Sequence, residues 1–359
     1  MTFYQALQMD PSILKRKSSQ CSAFREKVFY WTAMTVRSVL IVAFAVLFIS
    51  ALSAVFGQEN TPFAVALFCI LLGIRFVSFE YCIRDSLVTL AGAFGILLLV
   101  PVAVTEMSPL MAVLFHFGGF LLLLCITTQR PELGNGGLYS FAYVYLSGNP
   151  VYGASLGKRA MLALLGYMIC AAILYAKHRH MHADLRFHQV IRGFSLHNAV
   201  HLWQLRMAAG VSLILTAGYF FDVERFMWMG FACASLLSEY PYSGNATPRF
   251  RQRIAGVLAG SAAFFVLYQI LPETFYPFLG MSGGLCLGFC TDYRYKTAFN
   301  CFGALTLATG IYGIQGAVIL RIADTIAGVA FGWIFAFLFH KWIGTRFVPE
   351  KQEVCKHSI

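Results

Sequence analysis

The chain has 359 residues, 58% of them apolar and only 12% charged, with a mean hydropathy of +0.68. A water-soluble domain needs far more charged surface than this, so a membrane is the solvent and the fold class is an all-α polytopic membrane protein. The net charge of +11 does not mark a nucleic-acid binder, because Lys and Arg sit in short clusters between apolar runs and not on one continuous face.

Residues 1–35 carry Lys15, Arg16, Lys17, Arg25 and Lys27 ahead of any apolar run, so no cleavable signal peptide is expected and this segment stays in the cytoplasm. A bilayer core of about 30 Å needs roughly 20 apolar residues in a helix. The runs that meet or approach this are 36–56, 61–79, 86–105, 109–128, 137–148 and 156–176. A basic, His-rich linker fills 177–201, and six more runs follow at 203–221, 226–243, 252–271, 275–291, 297–313 and 316–340, before a tail at 341–359. About twelve transmembrane helices are predicted. The fifth and eleventh are short, which fits helices that are tilted, broken or buried among others.

The loops placed inside carry Arg75 with Arg84, Arg130, Lys177 to Arg192, Arg249 with Arg251 and Arg253, Arg294 with Lys296, and Lys341 with Arg346. The opposite loops carry Glu59, Glu106, the Asp222/Glu224/Arg225 group and Glu273. The excess of Lys and Arg on alternate loops puts both termini and the linker in the cytoplasm. Lys158 and Arg159, near the outer end of span six, break this alternation.

The chain repeats itself. The spacing from Arg37 to Arg84 equals that from Arg206 to Arg253, and Arg159, Arg253 and Arg321 are each followed by a glycine seven residues on, at Gly166, Gly260 and Gly328. This predicts two parallel six-helix repeats, 36–176 and 202–340, related by an axis along the membrane normal.

Charges inside apolar runs are costly and ask for a reason. Arg321 lies inside span twelve with Asp324 on the same helical face, a spacing that suits either a structural ion pair or an anion-binding cation beside a titratable carboxyl. Arg159 holds the matching place in the first repeat, with Leu162 where an acid would stand. Arg37, Arg84, Arg206 and Arg253 open spans one, three, seven and nine, where they serve as snorkelling anchors or as a cationic vestibule that gathers carboxylates. The pairs Gly92/Gly95, Gly256/Gly260 and Gly328/Gly332 favour close helix packing, and His116 and Asn300 favour interhelical hydrogen bonds. Ten cysteines without paired spacing read as small buried hydrophobes. The histidines of the linker, His178, His180, His182, His188, His197 and His201, are a composition that binds metal in other settings, but basic charge facing lipid headgroups is the simpler account. No metal or cofactor is expected. Gly153 to Gly157 and Gly280 to Gly284 match the Gly-x-Ser-x-Gly pattern of serine hydrolases, without the strand-turn-helix context that gives it meaning. An enzyme is therefore not expected.

The stretch Ser243 to Leu267, with its core Arg249-Phe-Arg251-Gln-Arg253-Ile-Ala-Gly256-Val-Leu-Ala-Gly260, resembles the start of a fusaric-acid-resistance-type domain. Arg321-Ile-Ala-Asp324-Thr325-Ile-Ala-Gly328 resembles the Arg-x-x-Asp-Thr-x-x-Gly signature that closes the same domain, and Arg84-Asp85 and Arg159 to Gly166 form a weaker copy in the first repeat. The family includes aromatic carboxylic acid exporters of the bacterial inner membrane and is similar to plant aluminium-activated malate channels. The resemblance implies efflux of small organic anions along a pathway that involves Arg321, Asp324, Thr325, Arg253, Arg159 and Arg84. Membrane lipids are the other expected partner. Larger members carry a soluble domain between or after the membrane halves, and a periplasmic adaptor protein is the partner such a domain would dock; here the linker from Ala176 to His201 is short. With no ATP-binding motif, three readings stand: proton-driven export with Asp324 titrating, a passive organic-anion channel, and a scaffold whose charges are structural.

Overall fold

A computed structural model describes residues 2–181, 186–240 and 246–347. Among these residues every regular element is a helix, as expected where lipid leaves backbone groups no partner outside the segment itself. Three helices precede or form the first apolar run: α1 (Phe3–Leu7), α2 (Pro11–Gln20) and α3 (Phe24–Phe56). The next five runs are α4 (Thr61–Ile74), α5 (Ile83–Ala103), α6 (Pro109–Thr127), α7 (Asn135–Ser147) and α8 (Gly153–His178). The linker holds the short α9 (Phe187–Arg192); then come α10 (Ala199–Phe220), α11 (Met227–Leu237), α12 (Thr247–Ile270), α13 (Tyr276–Leu287) and α14 (Tyr293–Phe339). The tail from 348 on lies outside the described residues.

Six of these helices, α3, α5, α6, α8, α12 and α14, are long and apolar enough to cross a membrane, and α4 and α11 are shorter apolar helices. The protein is thus embedded in a membrane by several passes. Local sequence sets the ends. Proline opens α4, α6 and α13 in the first turn, where its missing N–H is no loss. Glycine in left-handed backbone follows α3 at Gly57 (φ 93°) and precedes α7 at Gly134 (φ 91°), conformations that strain a residue with a Cβ.

Runs eleven and twelve share α14, which is broken at Gly313 (φ 69°, ψ 170°). Arg321 hydrogen-bonds Cys301. A straight helix would hold these two about 30 Å apart at 1.5 Å per residue, so the chain doubles back at Gly313 and brings 314–326 beside the first arm, 293–312.

The chain forms two compact units, one of Met1–Ala51 with Phe250–Ile326, the other of Leu52–Arg249 with Ala327–Ile359. In the first unit α12 runs beside the first arm of α14. A Cβ on Gly256 would stand 2.6 Å from the Arg294 carbonyl oxygen, and one on Gly260 would meet the backbone of Ala298; the two helices therefore touch with no side chain between them. In the same unit α3 rests on α13, with Val42 against Gly284 and Ser38 against Gly288. In the second unit α5 meets α6, α7 and α8, α4 lies against α7 and α8, and α10 packs on α6 and α11. Gly166 of α8 faces Leu67 and Phe94, and Gly328 faces the backbone of Met229. Gly95 departs from the packing expectation, since a Cβ there would meet nothing within 4 Å.

Replacing Gly260 with Leu forces α12 and α14 apart and lowers stability by about 1–3 kcal/mol or more. Gly95→Ala leaves the midpoint unchanged or slightly raised. Thermal unfolding of both variants in detergent checks the contrast.

Candidate functional site

Two of the eight arginine and neighbouring positions singled out in the sequence turn out to be clamps inside the second unit. Arg159 is 1% exposed. Its Nε donates to Asn60 Oδ1 (3.0 Å), Nη1 to the Asn149 carbonyl (2.9 Å) and Nη2 to the Glu59 carbonyl (3.1 Å). It thereby ties the start of α8 to the turn before α4 and the chain after α7. Arg206, 2% exposed, donates through Nη2 to the carbonyls of Leu237 (2.8 Å) and Glu239 (3.2 Å), where α11 ends. Neither snorkels; each satisfies carbonyls that a helix end leaves without an intrahelical donor. Arg84 is exposed at the start of α5, and the neighbouring Asp85 carboxylate accepts from the Phe187 amide at 2.8 Å.

The same task falls to two side chains that the sequence reading passed over, Gln204 and Asn135, and to His178, which it read as part of the basic linker. Gln204 donates to the carbonyls of Leu124 (3.3 Å) and Thr128 (2.8 Å). Asn135 donates to those of Ser78 and Thr127, both at 3.1 Å. His178 Nε2 lies 2.9 Å from the Ile74 carbonyl. Their only signal in the sequence is a polar residue beside the end of an apolar run.

The first unit is built differently. Arg253 (7% exposed), Arg321 (4%), Asp324 (5%) and Thr325 (0%) are all buried. The charges of Arg253 and Asp324 both act on the Arg321 guanidinium, and Cys301, 0% exposed, hydrogen-bonds it. The hairpin at Gly313 makes this meeting possible: it lays the second arm, with Asp324 and Thr325 one turn after Arg321, beside Cys301 of the first arm, whose partner α12 supplies Arg253. Arg253 Nη1 reaches the Tyr293 hydroxyl at 3.4 Å, and among the described residues its Nε finds no acceptor and the Thr325 hydroxyl has no hydrogen-bond partner. The buried Arg321 guanidinium thus has a second guanidinium and a carboxylate acting on it, with an N–H of Arg253 and the Thr325 hydroxyl uncommitted among the described residues. Such a set is matched by an oxyanion. Arg37, half-buried in α3 of this unit, acts instead on Asp10. Burial pushes the Asp10 carboxyl up, but the bonds from Ser12 and the charges of Lys296 and Arg37 outweigh it and hold the group below its ordinary value.

Elsewhere, His116 Nδ1 pairs with the Tyr143 hydroxyl at 2.8 Å, an interhelical bond between α6 and α7, whereas Asn300 is exposed. Cys170, Cys233 and Cys301 are buried, and Cys69 and Cys125 partly so. In the linker, the Ser195 amide donates to His201 Nδ1 at 3.0 Å and Phe194 stacks on the ring at 4.8 Å. His182, the side chain of His188 and Ser243 to Asn245 lie outside the described residues.

Residues 212–335 match the family model described as fusaric acid resistance protein-like. The match runs from within α10 to within α14 and includes both stretches that carry the resemblance in the sequence, from Ala246 onward in the first. The family is one of membrane transport and efflux. No curated protein and no solved structure matches the chain.

Loss of the Arg159 clamp leaves buried carbonyls without donors, so Arg159→Leu destabilises the protein by about 3 kcal/mol; thermal unfolding and protein level report it. Burial lowers the His201 value and the bond to the Ser195 carbonyl only partly offsets this. The docked linker therefore prefers the neutral ring. Above the ordinary histidine value of about 6.5 titration has no effect, and below it the released segment takes up the proton first, so docking weakens as pH falls. Amide exchange at 194–201, corrected for intrinsic rate, rises below about pH 6 in the native chain and stays flat in His201→Gln.

Proposed function

We propose that the chain exports small organic anions, aromatic or other weak carboxylic acids, across a bacterial inner membrane at the expense of the proton gradient. The observation that carries this reading is the buried cluster of Arg253, Arg321 and Asp324. A carboxylate entering it is met by two cations and by the uncommitted donors of Arg253 and Thr325. Asp324, one turn from Arg321 on the same helix, is the titratable group assigned to proton coupling: it takes up a proton on the outer side and gives it up to the cytoplasm as the anion moves outward.

The wider architecture in this proposal is twelve spans in two parallel repeats, 36–176 and 202–340, with both termini and the linker in the cytoplasm. One packing relation favours the repeat. The opening helix of the first half, α3, rests on α13, and the opening helix of the second half, α10, rests on α6; α6 and α13 have the same rank in their halves. Each half thus lends its first helix to the other, as a duplicated unit that exchanged equivalent elements would. In this reading Arg159 and Arg206 hold the frame, the Arg253–Arg321 cluster handles the anion, and Arg37 and Arg84 add positive potential at the cytoplasmic entrance. A periplasmic adaptor protein is a further partner in this scheme.

Accumulation of labelled aromatic acids in cells with and without the protein tests the proposal. The native chain lowers accumulation, an uncoupler abolishes the difference, and Arg321→Ala weakens export about tenfold or more at unchanged protein level. Asp324→Asn separates the mechanisms: export against the gradient is lost, while downhill flux persists. No difference for any acid at normal protein level overturns the reading and leaves the charges structural.

A further inference from the structure

The helix α3 spans 33 residues, about 50 Å at 1.5 Å per residue, against a hydrocarbon core of about 30 Å. Its N-terminal turns therefore stand outside that core, and their two faces differ. On one face Ala33 and Met34 are buried with Phe29 and Tyr30 against Ala6, Leu14 and Phe289. The other face is uncovered. Phe24 (80% exposed), Val28 (44%) and Trp31 (49%) follow one another at helical spacing and, with Lys27, Thr32, Thr35 and Val36, line a groove of about 470 Å³.

We propose that this groove binds one anionic phospholipid, its phosphate on Lys27 and its acyl chain along Val28, Trp31 and Val36. Three observations converge on that occupant. First, the apolar stripe continues without a break down the same helix through the exposed Val39, Leu40, Phe44 and Leu47, so whatever lies on Val28 and Trp31 shares an edge with bilayer lipid. Second, the groove has a cation at the end away from the hydrocarbon. Lys27 lies between Phe24 and Trp31 along the helix, and Thr32 offers a hydroxyl beside it, whereas the Thr35 hydroxyl is committed to the Trp31 carbonyl at 3.0 Å. Third, the N-terminal segment that carries the groove is basic: Lys15, Arg16, Lys17 and Arg25 outnumber Asp10 and Glu26. A zwitterionic headgroup gains less from such a field than an anionic one. Trp31 is held in place by stacking on Phe289, at 6.2 Å and 20°, so the groove wall is formed before lipid arrives, and an indole at this depth suits the interface. The groove is remote in sequence from Arg253 and Arg321, and the proposal does not depend on the export reading.

Titrating the full chain in neutral detergent with phosphatidylglycerol and with phosphatidylcholine, and counting bound lipid by native mass spectrometry, tests the site. Phosphatidylglycerol binds about fivefold more tightly, the value of one cation near an anionic headgroup. Lys27→Glu removes that preference, Lys27→Arg keeps it, and Val28→Asp weakens both lipids. Lys27 and Val28 are exposed, so these variants retain the native unfolding midpoint. Equal binding of the two lipids, a preference unmoved by Lys27→Glu, or disulfide-linked dimers through Val28→Cys in the bilayer, which would place a second copy on the groove, each overturns the proposal.

Discussion

A helix that stops inside a membrane protein leaves carbonyl oxygens with no water to receive, and the second unit is organised around meeting them. Arg206 takes the end of α11, Arg159 the chain before α4 and after α7, Gln204 and Asn135 the end of α6, and His178 the end of α4. Each donor comes from a different element than its acceptor, so the same bonds that satisfy the backbone also fix which helices are neighbours. Glycine at the closest approaches then lets the helices seat, as Gly166 does on Leu67 and Phe94.

In the first unit the buried arginines meet other side chains. Arg159 is engaged by an asparagine and two carbonyls, while the Arg321 guanidinium has a second guanidinium, a thiol and a carboxylate acting on it.

Much of the helical content was legible in the sequence, because apolar runs ended by Pro62, Pro109, Pro277, Gly57 and Gly134 leave little choice of boundary. The start of α3 was not, since Phe24 to Thr35 is too polar to read as a span although it continues the same helix. The motif residues of α12 and α14 were legible as a set, and the hairpin at Gly313 explains why residues far apart in sequence act on one another. The partners of Arg159 and Arg206 were hidden for a physical reason: they are mostly backbone carbonyls, which every residue has, so no residue type announces them. Cys301 was likewise indistinguishable from the other cysteines until the second arm of α14 was laid beside it.

The resting of α3 on α13, and of α10 on α6, bears on how the protein is made. The helix α3 has its packing surface, Ser38 and Val42, opposite glycines of α13 that are synthesised much later. Until then its face toward α13 has only lipid to meet, while the helices from α4 to α8 already have one another. Insertion and assembly are therefore separated in time. The early helix waits in the bilayer, held by its charged flank and by the packing of α1 and α2 at its base, until α13 is made and the two can pair.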